Sequence, residues 1–452
     1  MSLINSAQTA LDALDHEDAG VRYHAAWWLG KNRVSSAVPH LIACLQDHRD
    51  RTSAGGYPLR RQAARSLGMI GDLNCTSDLL ETLKTDDVQL HEAAIRSLIQ
   101  MKTAPCLEAL VNYLDRDIQD KPIEALIEAF TSYKNWGVSE KLKPFLDSPS
   151  ERILSATSAY FYAFTGEQKH LITIFQLLQH DNRFIRQSAA FDLARIATIE
   201  CTNELLTANI PNNIKMFAIK SILSASLEST SDQGHESLSN KQTQLFSKLD
   251  QLVEENFSGN LLLDQITKQP NRSHSKEKKS VHTTLLECLQ LLKSPSLQAR
   301  ESGIRGLGEH IQSGQLLDLY FSESDQDIKM GLIKAMSAAA DSTFLPALID
   351  AVGVDIGNHC QGNIRRVAAR GLGRIGRSEL NTSMIQARII EKLEWTLQNP
   401  DDWGLRYSAV LALEDLQTKP AKTILMQARQ GETDFVVRTR MQQALIETPS
   451  NF

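Results

Sequence analysis

Arginines, carboxylates and aromatic side chains recur along this chain at spacings that would bring them to one side of a series of helices. At about 100° per residue, the stretch from Val21 to Lys31 gathers Val21, Ala25, Trp28 and Leu29 into an apolar stripe and leaves Tyr23, Trp27 and Lys31 opposite it. The same count places Arg61 and Arg65 on that side, then Glu92 and Arg96, Glu301 and Arg305, the trio Arg366, Arg370 and Arg374, and Tyr407. Arginine offers a planar fork to a carboxylate, Trp and Tyr offer stacking surface, and Asp or Glu accepts hydrogen bonds from ring N–H groups. Such a ladder suits a flat, conjugated, N–H-bearing ligand with acidic arms. The plainer alternative for any single position is a solvated charge or an aromatic packed on its neighbour.

Motifs for other chemistry are weak or missing. Gly371-Leu372-Gly373-Arg374-Ile375-Gly376 spells GxGxxG, but it closes a helical pattern, not a strand-to-helix turn, and reads as the end cap of a repeat. The histidines are scattered without an HExxH, so no metal site is expected, and neither a P-loop nor a GxSxG occurs. The six cysteines form no CxxC pair, which argues against zinc knuckles and a disulfide framework. Cys44 lies in an aliphatic run and reads as core. Cys360 lies in a long polar loop and is the better of two poor candidates for a transient thiol carrier.

The elements that must carry the ladder are repeats. An aliphatic residue, a basic or polar residue, two variable positions, then alanines and a leucine occur at Val21-Arg22 to Leu29-Gly30 and at Leu59-Arg60 to Leu67-Gly68. The pattern returns at Leu90-His91, Ile185-Arg186, Ala299-Arg300, Ile364-Arg365, Leu405-Arg406 and Val437-Arg438, mostly about 30 to 40 residues apart. A second amphipathic stretch precedes each, as in Val38-Pro39-His40-Leu41 and Phe344-Leu345-Pro346-Ala347. The expected fold is therefore all-α: a solenoid of helical pairs whose second helices line a concave groove. The Gly after Leu is read as a helix C-cap.

Two arrays are expected, residues 1–227 and 282–452, joined by a polar connector with some helix at 228–281. Each array has one over-long loop ending in an Arg-Arg pair, Asp47 to Pro58 and Gly353 to Asn363. Across 452 residues, 48 Lys and Arg against 54 Asp and Glu give a net charge of -6, which disfavours a general nucleic-acid binder. No apolar run approaches the ~18 residues of a membrane span, and the N-terminus lacks a signal-like pattern, so a cytoplasmic protein is expected.

The stretches Arg22-Tyr23-His24-Ala25-Ala26-Trp27-Trp28-Leu29-Gly30-Lys31 and Arg51-Thr52-Ser53-Ala54-Gly55-Gly56-Tyr57-Pro58-Leu59-Arg60-Arg61 resemble the E/F clan of phycobilin lyases. These are enzymes with HEAT-like (armadillo-type) repeats that attach linear tetrapyrroles to cysteines of cyanobacterial antenna proteins. The resemblance is greatest to single-chain phycoerythrobilin lyases, some of which also isomerise the chromophore to phycourobilin, and it implies an E-like and an F-like part in one chain. It further implies phycoerythrobilin as substrate, with no separate cofactor, and a phycobiliprotein subunit, the phycoerythrin α chain, as acceptor in a cyanobacterial cytoplasm. Within it, Arg61, Arg65, Arg366 and Arg370 are expected to hold propionates, Tyr23, Trp27 and Tyr57 to stack, and Glu92 or Glu301 to meet ring nitrogens, with Arg96 and Arg305 beside them. His24 and the Asp318/Tyr320 pair are the candidates for proton transfer. Isomerisation, a non-catalytic scaffold or adaptor, and a bilin chaperone all stay open on the residues alone.

Overall fold

A computed structural model of the chain describes residues 4–53, 55–231, 238–258, 284–294, 296–353, 362–378, 383–398 and 402–446. All regular structure among these residues is helical. The chain divides into two compact units, Met1–Ala225 and Ser226–Phe452.

In the first unit the helices alternate between a first and a second member of each pair. The first members are α1 (Ala7–Asp12), α3 (Val38–Cys44), α5 (Thr76–Thr82), α7 (Leu107–Asp115), α9 (Ser139–Leu142), α11 (Gln168–Leu178) and α13 (Thr202–Thr207). The second members are α2 (Ala19–Lys31), α4 (Pro58–Ile70), α6 (Val88–Met101), α8 (Ile123–Ser132), α10 (Glu151–Thr165), α12 (Arg183–Ile196) and α14 (Asn212–Ser231). The second unit contains α15 (Asn240–Ser258), followed by the pairs α16 (Leu285–Leu292) and α17 (Leu297–His310), α18 (Ser313–Ser322) and α19 (Gln326–Ala339), and α20 (Leu345–Val352) and α21 (Gly362–Ser378). It ends with α22 (Ser383–Leu397) and α23 (Trp403–Leu416), then α24 (Lys419–Gly431) and α25 (Phe435–Ile446).

Several second helices start where a short polar side chain takes up free N–H groups of the first turn. Asp18 accepts from Gly20 and Val21, Asp87 from Leu90, Asn182 from Phe184, Asp325 from Asp327 and Ile328, and Asp402 from Leu405. The arginine of the aliphatic–Arg pair then reaches back to the loop before its own helix. Arg60 Nε donates to the Asp47 carbonyl and Arg365 Nε to the Val352 carbonyl, each at 2.7 Å. Arg186 Nη1 donates to the His180 carbonyl and Arg300 Nη1 to the Ser294 carbonyl, each at 2.6 Å. A loop carbonyl that water cannot reach is costly to leave unpaired, so this repeated basic residue clamps the inter-helix loop.

Successive second helices pack directly on one another, α2 on α4 and α4 on α6, then α17 on α19 on α21 on α23. The glycine after Leu, read from sequence as a C-cap, lies inside its helix and permits that approach. A Cβ on Gly30 would sit 2.5 Å from the Cβ of Ser66, and one on Gly373 would sit 2.7 Å from the Cα of Ala412. Gly371, Gly373 and Gly376 of the GxGxxG stretch are all interior to α21 and buried, so that stretch is a packing surface and not an end cap. True left-handed caps occur at Gly71 and Gly166.

The described residues of the long loop from Asp47 to Pro58 are held from three sides. Arg22 pairs with Asp50, Arg60 binds the Asp47 carbonyl and lies near the His48 ring, and the Tyr57 N–H donates to Asp87 Oδ2 at 3.1 Å. Its counterpart from Gly353 to Asn363, with Cys360, lies largely outside the described residues, as do the two polar runs of the 228–281 segment. The amphipathic piece between those runs is α15, which belongs to the second unit and packs on α19 and α21.

Candidate functional site

On the free side of α2, Tyr23 and His24 are exposed, and the His24 ring stacks on Trp27 at 5.1 Å between centroids. Trp27 itself is only 8% exposed, which corrects the expectation that it stands free. A second helix here is covered by its own first helix and by second helices on either side, so more of its circumference is buried than a single apolar stripe implies. Tyr57 is half-buried at the start of α4, with the Arg60 guanidinium over its ring at 4.4 Å. Arg61 is half-buried and donates to Gln89, whereas Arg65 is exposed.

Farther along the same unit the ladder is tied into a network. Arg96 bonds Glu92 at 3.0 Å and also pairs with the buried Glu128, and Arg195 bonds Glu128 at 2.9 Å and Asp192 at 2.5 Å. Asp192 is fully buried and accepts from the Ser155 hydroxyl at 2.6 Å. Burial pushes its pKa up to about 6 against the lowering pull of Arg195 and Ser155. Sequence reasoning missed Glu128, Asp192 and Arg195, although all three fall on second helices and the helical count could have found them. Nearby, Phe191 and Phe217 meet edge to face at 5.7 Å and both remain exposed.

The second unit differs. Arg366 is half-buried and pairs with Asp402, the cap of α23, at 2.7 Å. Arg370 is 6% exposed, bonding Glu254 of α15 at 2.6 Å and Asp415 at 2.8 Å. Arg374 reaches the other oxygen of Glu254 at 2.8 Å. Tyr407, expected on the open side, is completely buried and donates to Asp250 of α15 at 2.5 Å. Arg440 bonds Asp250 and Glu414 at 3.1 Å each. Burial works to raise Glu254, and the flanking Arg370 and Arg374 outweigh it and hold its carboxyl below the usual range. Burial leaves Asp250 raised and Tyr407 raised well above the ordinary phenol value.

Glu301 and Arg305 lie on α17, Arg305 exposed and Glu301 half-buried with a carboxylate oxygen that has no partner. The Asp318/Tyr320 pair is not brought together: Asp318 is exposed, and the buried Tyr320 donates instead to Asp350 at 2.8 Å. Burial and the Asp350 charge keep Tyr320 protonated far above neutral pH. Cys44 is buried and its thiol is pushed up to about 11, chiefly by burial, as suits core and not a thiolate carrier. Among the described residues no cluster of His, Cys, Asp and Glu could hold a metal ion, and no helix is long and apolar enough to cross a membrane.

Paired helices, interlocked second helices and a clamped loop in several repeats define a HEAT-type α-solenoid, and the repeat models agree. The PBS lyase HEAT-like repeat matches residues 21–47 and 59–85, and HEAT repeats match residues 354–446. Bilin biosynthesis protein PecE of Nostoc sp. (strain PCC 7120) is 39% identical over 251 residues, which are 55% of this chain and 97% of that protein. Bilin biosynthesis protein PecF of Mastigocladus laminosus is 45% identical over 135 residues, 30% of this chain and 63% of its own length. The solved complex of CpcE and CpcF of phycocyanin lyase from Nostoc sp. PCC7120 aligns at 32% identity with 55% of this chain and 94% of that one, at a TM-score of 0.48. The chain belongs to the E-type phycobilin lyase family with HEAT-like repeats.

Proposed function

We propose that this chain is a phycobilin lyase that joins phycoerythrobilin through a thioether to a cysteine of a phycobiliprotein subunit, the phycoerythrin α chain, in the cytoplasm of a cyanobacterial cell. The observation that carries the reading is similarity to PecE along nearly that protein's whole length. The exposure of Tyr23 and His24 on α2 and of Arg65 on the neighbouring α4 agrees with it. Relatives named PecE and PecF both match this one chain, which supports a single polypeptide combining two subunits' work.

In the reaction, the acceptor thiolate forms a C–S bond at the exocyclic ethylidene carbon of the bilin. The electron pair of that double bond shifts toward the ring and takes up a proton, so no oxidant or reductant is consumed. The protein's part is to hold the bilin extended, exclude other additions and place an acid. Arg61 and Arg65 would fork the propionates, Tyr23 would stack on the conjugated system, and Glu92 would accept from pyrrole N–H groups. His24, exposed on α2 next to Tyr23 in the chain, is the proton donor in this scheme. If isomerisation to phycourobilin accompanies attachment, it removes a proton at one carbon and returns one at another.

Coexpression with a phycoerythrobilin pathway and a phycoerythrin α subunit tests the reading. A covalent fluorescent adduct is expected, and its absorbance separates retained phycoerythrobilin from phycourobilin, which has lost conjugation. Well-expressed protein that yields no adduct would leave a non-catalytic scaffold or a chaperone.

A further inference from the structure

The helix α15 lies against the second helices of the second unit and presents two carboxylates one turn apart, Asp250 and Glu254, to side chains of three of them. Arg370, Arg374 and Arg440, on α21 and α25, each bond one of these two carboxylates, and Arg370 and Arg440 also pair with Asp415 and Glu414 of their own array. A ligand bearing two propionates would meet the two negative charges of α15 where it would otherwise meet the guanidinium groups.

The helix is not held by charge alone. Leu245, Phe246, Leu249, Leu252 and Val253 are all buried. Lifting α15 away would return all five to water, a cost that small-ligand binding at a hundredfold excess over Kd does not offset. Displacement by chromophore is therefore disfavoured.

We infer that α15 is a built-in acidic ligand that closes the arginine-bearing side of the second unit to anions, so that chromophore propionates are recognised in the first unit, at Arg61 and Arg65. The assignment of the propionates rests on the bilin reading; the closure does not.

Phycoerythrobilin added to the purified full-length chain, with peptide-level hydrogen exchange as readout, should protect residues 19–31 and 58–70 and leave 240–258 unchanged. Faster exchange in 240–258, or new protection confined to 362–378, would overturn the inference. The double variant Asp250→Asn/Glu254→Gln should bind phycoerythrobilin at least several-fold more tightly or at a second equivalent, with a steeper salt dependence. Unchanged affinity and stoichiometry with a retained fold would overturn closure. Should the double variant fail to fold, Glu254→Gln alone keeps Asp250 on Tyr407 and Arg440 and should show a smaller gain in the same direction. If neither wild type nor variant binds phycoerythrobilin, the bilin reading fails, and closure is then read by calorimetry with inorganic pyrophosphate. A gain of binding in the variant over wild type upholds closure, and equal binding refutes it.

Discussion

The two units use one repeat grammar and finish it differently. In both, a buried arginine at the start of a second helix bonds a carbonyl thirteen positions back, Arg60 to Asp47 and Arg365 to Val352. In both, an acidic cap of the following second helix receives a group from the previous repeat, the Tyr57 N–H on Asp87 and the Arg366 guanidinium on Asp402. Yet the first unit keeps Tyr23, His24 and Arg65 exposed, while the matching side of the second unit holds Tyr407, Arg370 and Arg440 under α15. Conserving the scaffold of a repeat says little about whether its free side is available. A single added helix decides that, because one buried apolar ridge outweighs several surface charge pairs.

The contrast can be broken most severely at the apolar ridge of α15. Replacing the fully buried Leu249 by Ala should lower the stability of the second unit by about 4 kcal/mol, as large-to-small changes in tight cores do. Hydrogen exchange in α17, α19, α21 and α23 should accelerate while α2, α4 and α6 stay as they were, and uniform acceleration in both units would contradict the division drawn here. Arg440→Met comes next. It takes the cation from Glu414 and from Asp250, which keeps the Tyr407 hydroxyl, and because both carboxylates retain some contact with water the loss should be about 3 kcal/mol, visible in urea unfolding of the second unit.

A smaller effect concerns the first unit. The Asp192 carboxyl titrates at about 6 when folded against 3.8 for an ordinary Asp, so the folded chain binds this proton more tightly than the unfolded chain does. Its contribution is fully present below about pH 4 and is lost as pH rises through about 6. Between about pH 4 and pH 6 the stability of wild type relative to Asp192→Asn should fall by roughly 2 kcal/mol, about two-thirds of what the full shift gives at about 1.4 kcal/mol per pKa unit. A pH-independent difference between the two would show that Asp192 is not the group titrating. Smallest in stability is Arg65→Ala, expected within about 0.5 kcal/mol of wild type because the side chain is exposed. Bilin transfer should nevertheless fall with this variant; transfer and bilin absorbance equal to wild type would remove Arg65 from the site.

Much of the scaffold was legible without coordinates. A period of 30 to 40 residues, two amphipathic stretches in each repeat and alanines at the contact positions specify paired helices, since helical periodicity and small-residue spacing are local properties. Other features were read in part. The arginine after the aliphatic residue was visible as a pattern, but its role as a loop clamp was not, because its carbonyl partner is chosen by the turn that precedes the helix. A two-sided helical wheel puts Trp27 on the free side, whereas the helix is packed on three. The glycines after Leu read as caps in the sequence, whereas their close approach to Ser66, Ser97 and Ala412 on the neighbouring helix explains them. Asp318 and Tyr320 are close in sequence and take no part in a common contact, since positions two apart on a helix face different directions.

The amino-acid sequence by itself determined the helical pairs, their repetition in two arrays and the family to which they belong, because these depend on periodicity and on residue types at short range. Which side chains stay free was decided only by the tertiary structure. Burial is a property of all neighbours at once, and the partner of an amphipathic segment such as α15 is written nowhere in that segment; its two carboxylates acquire their meaning from arginines 116 to 190 positions away.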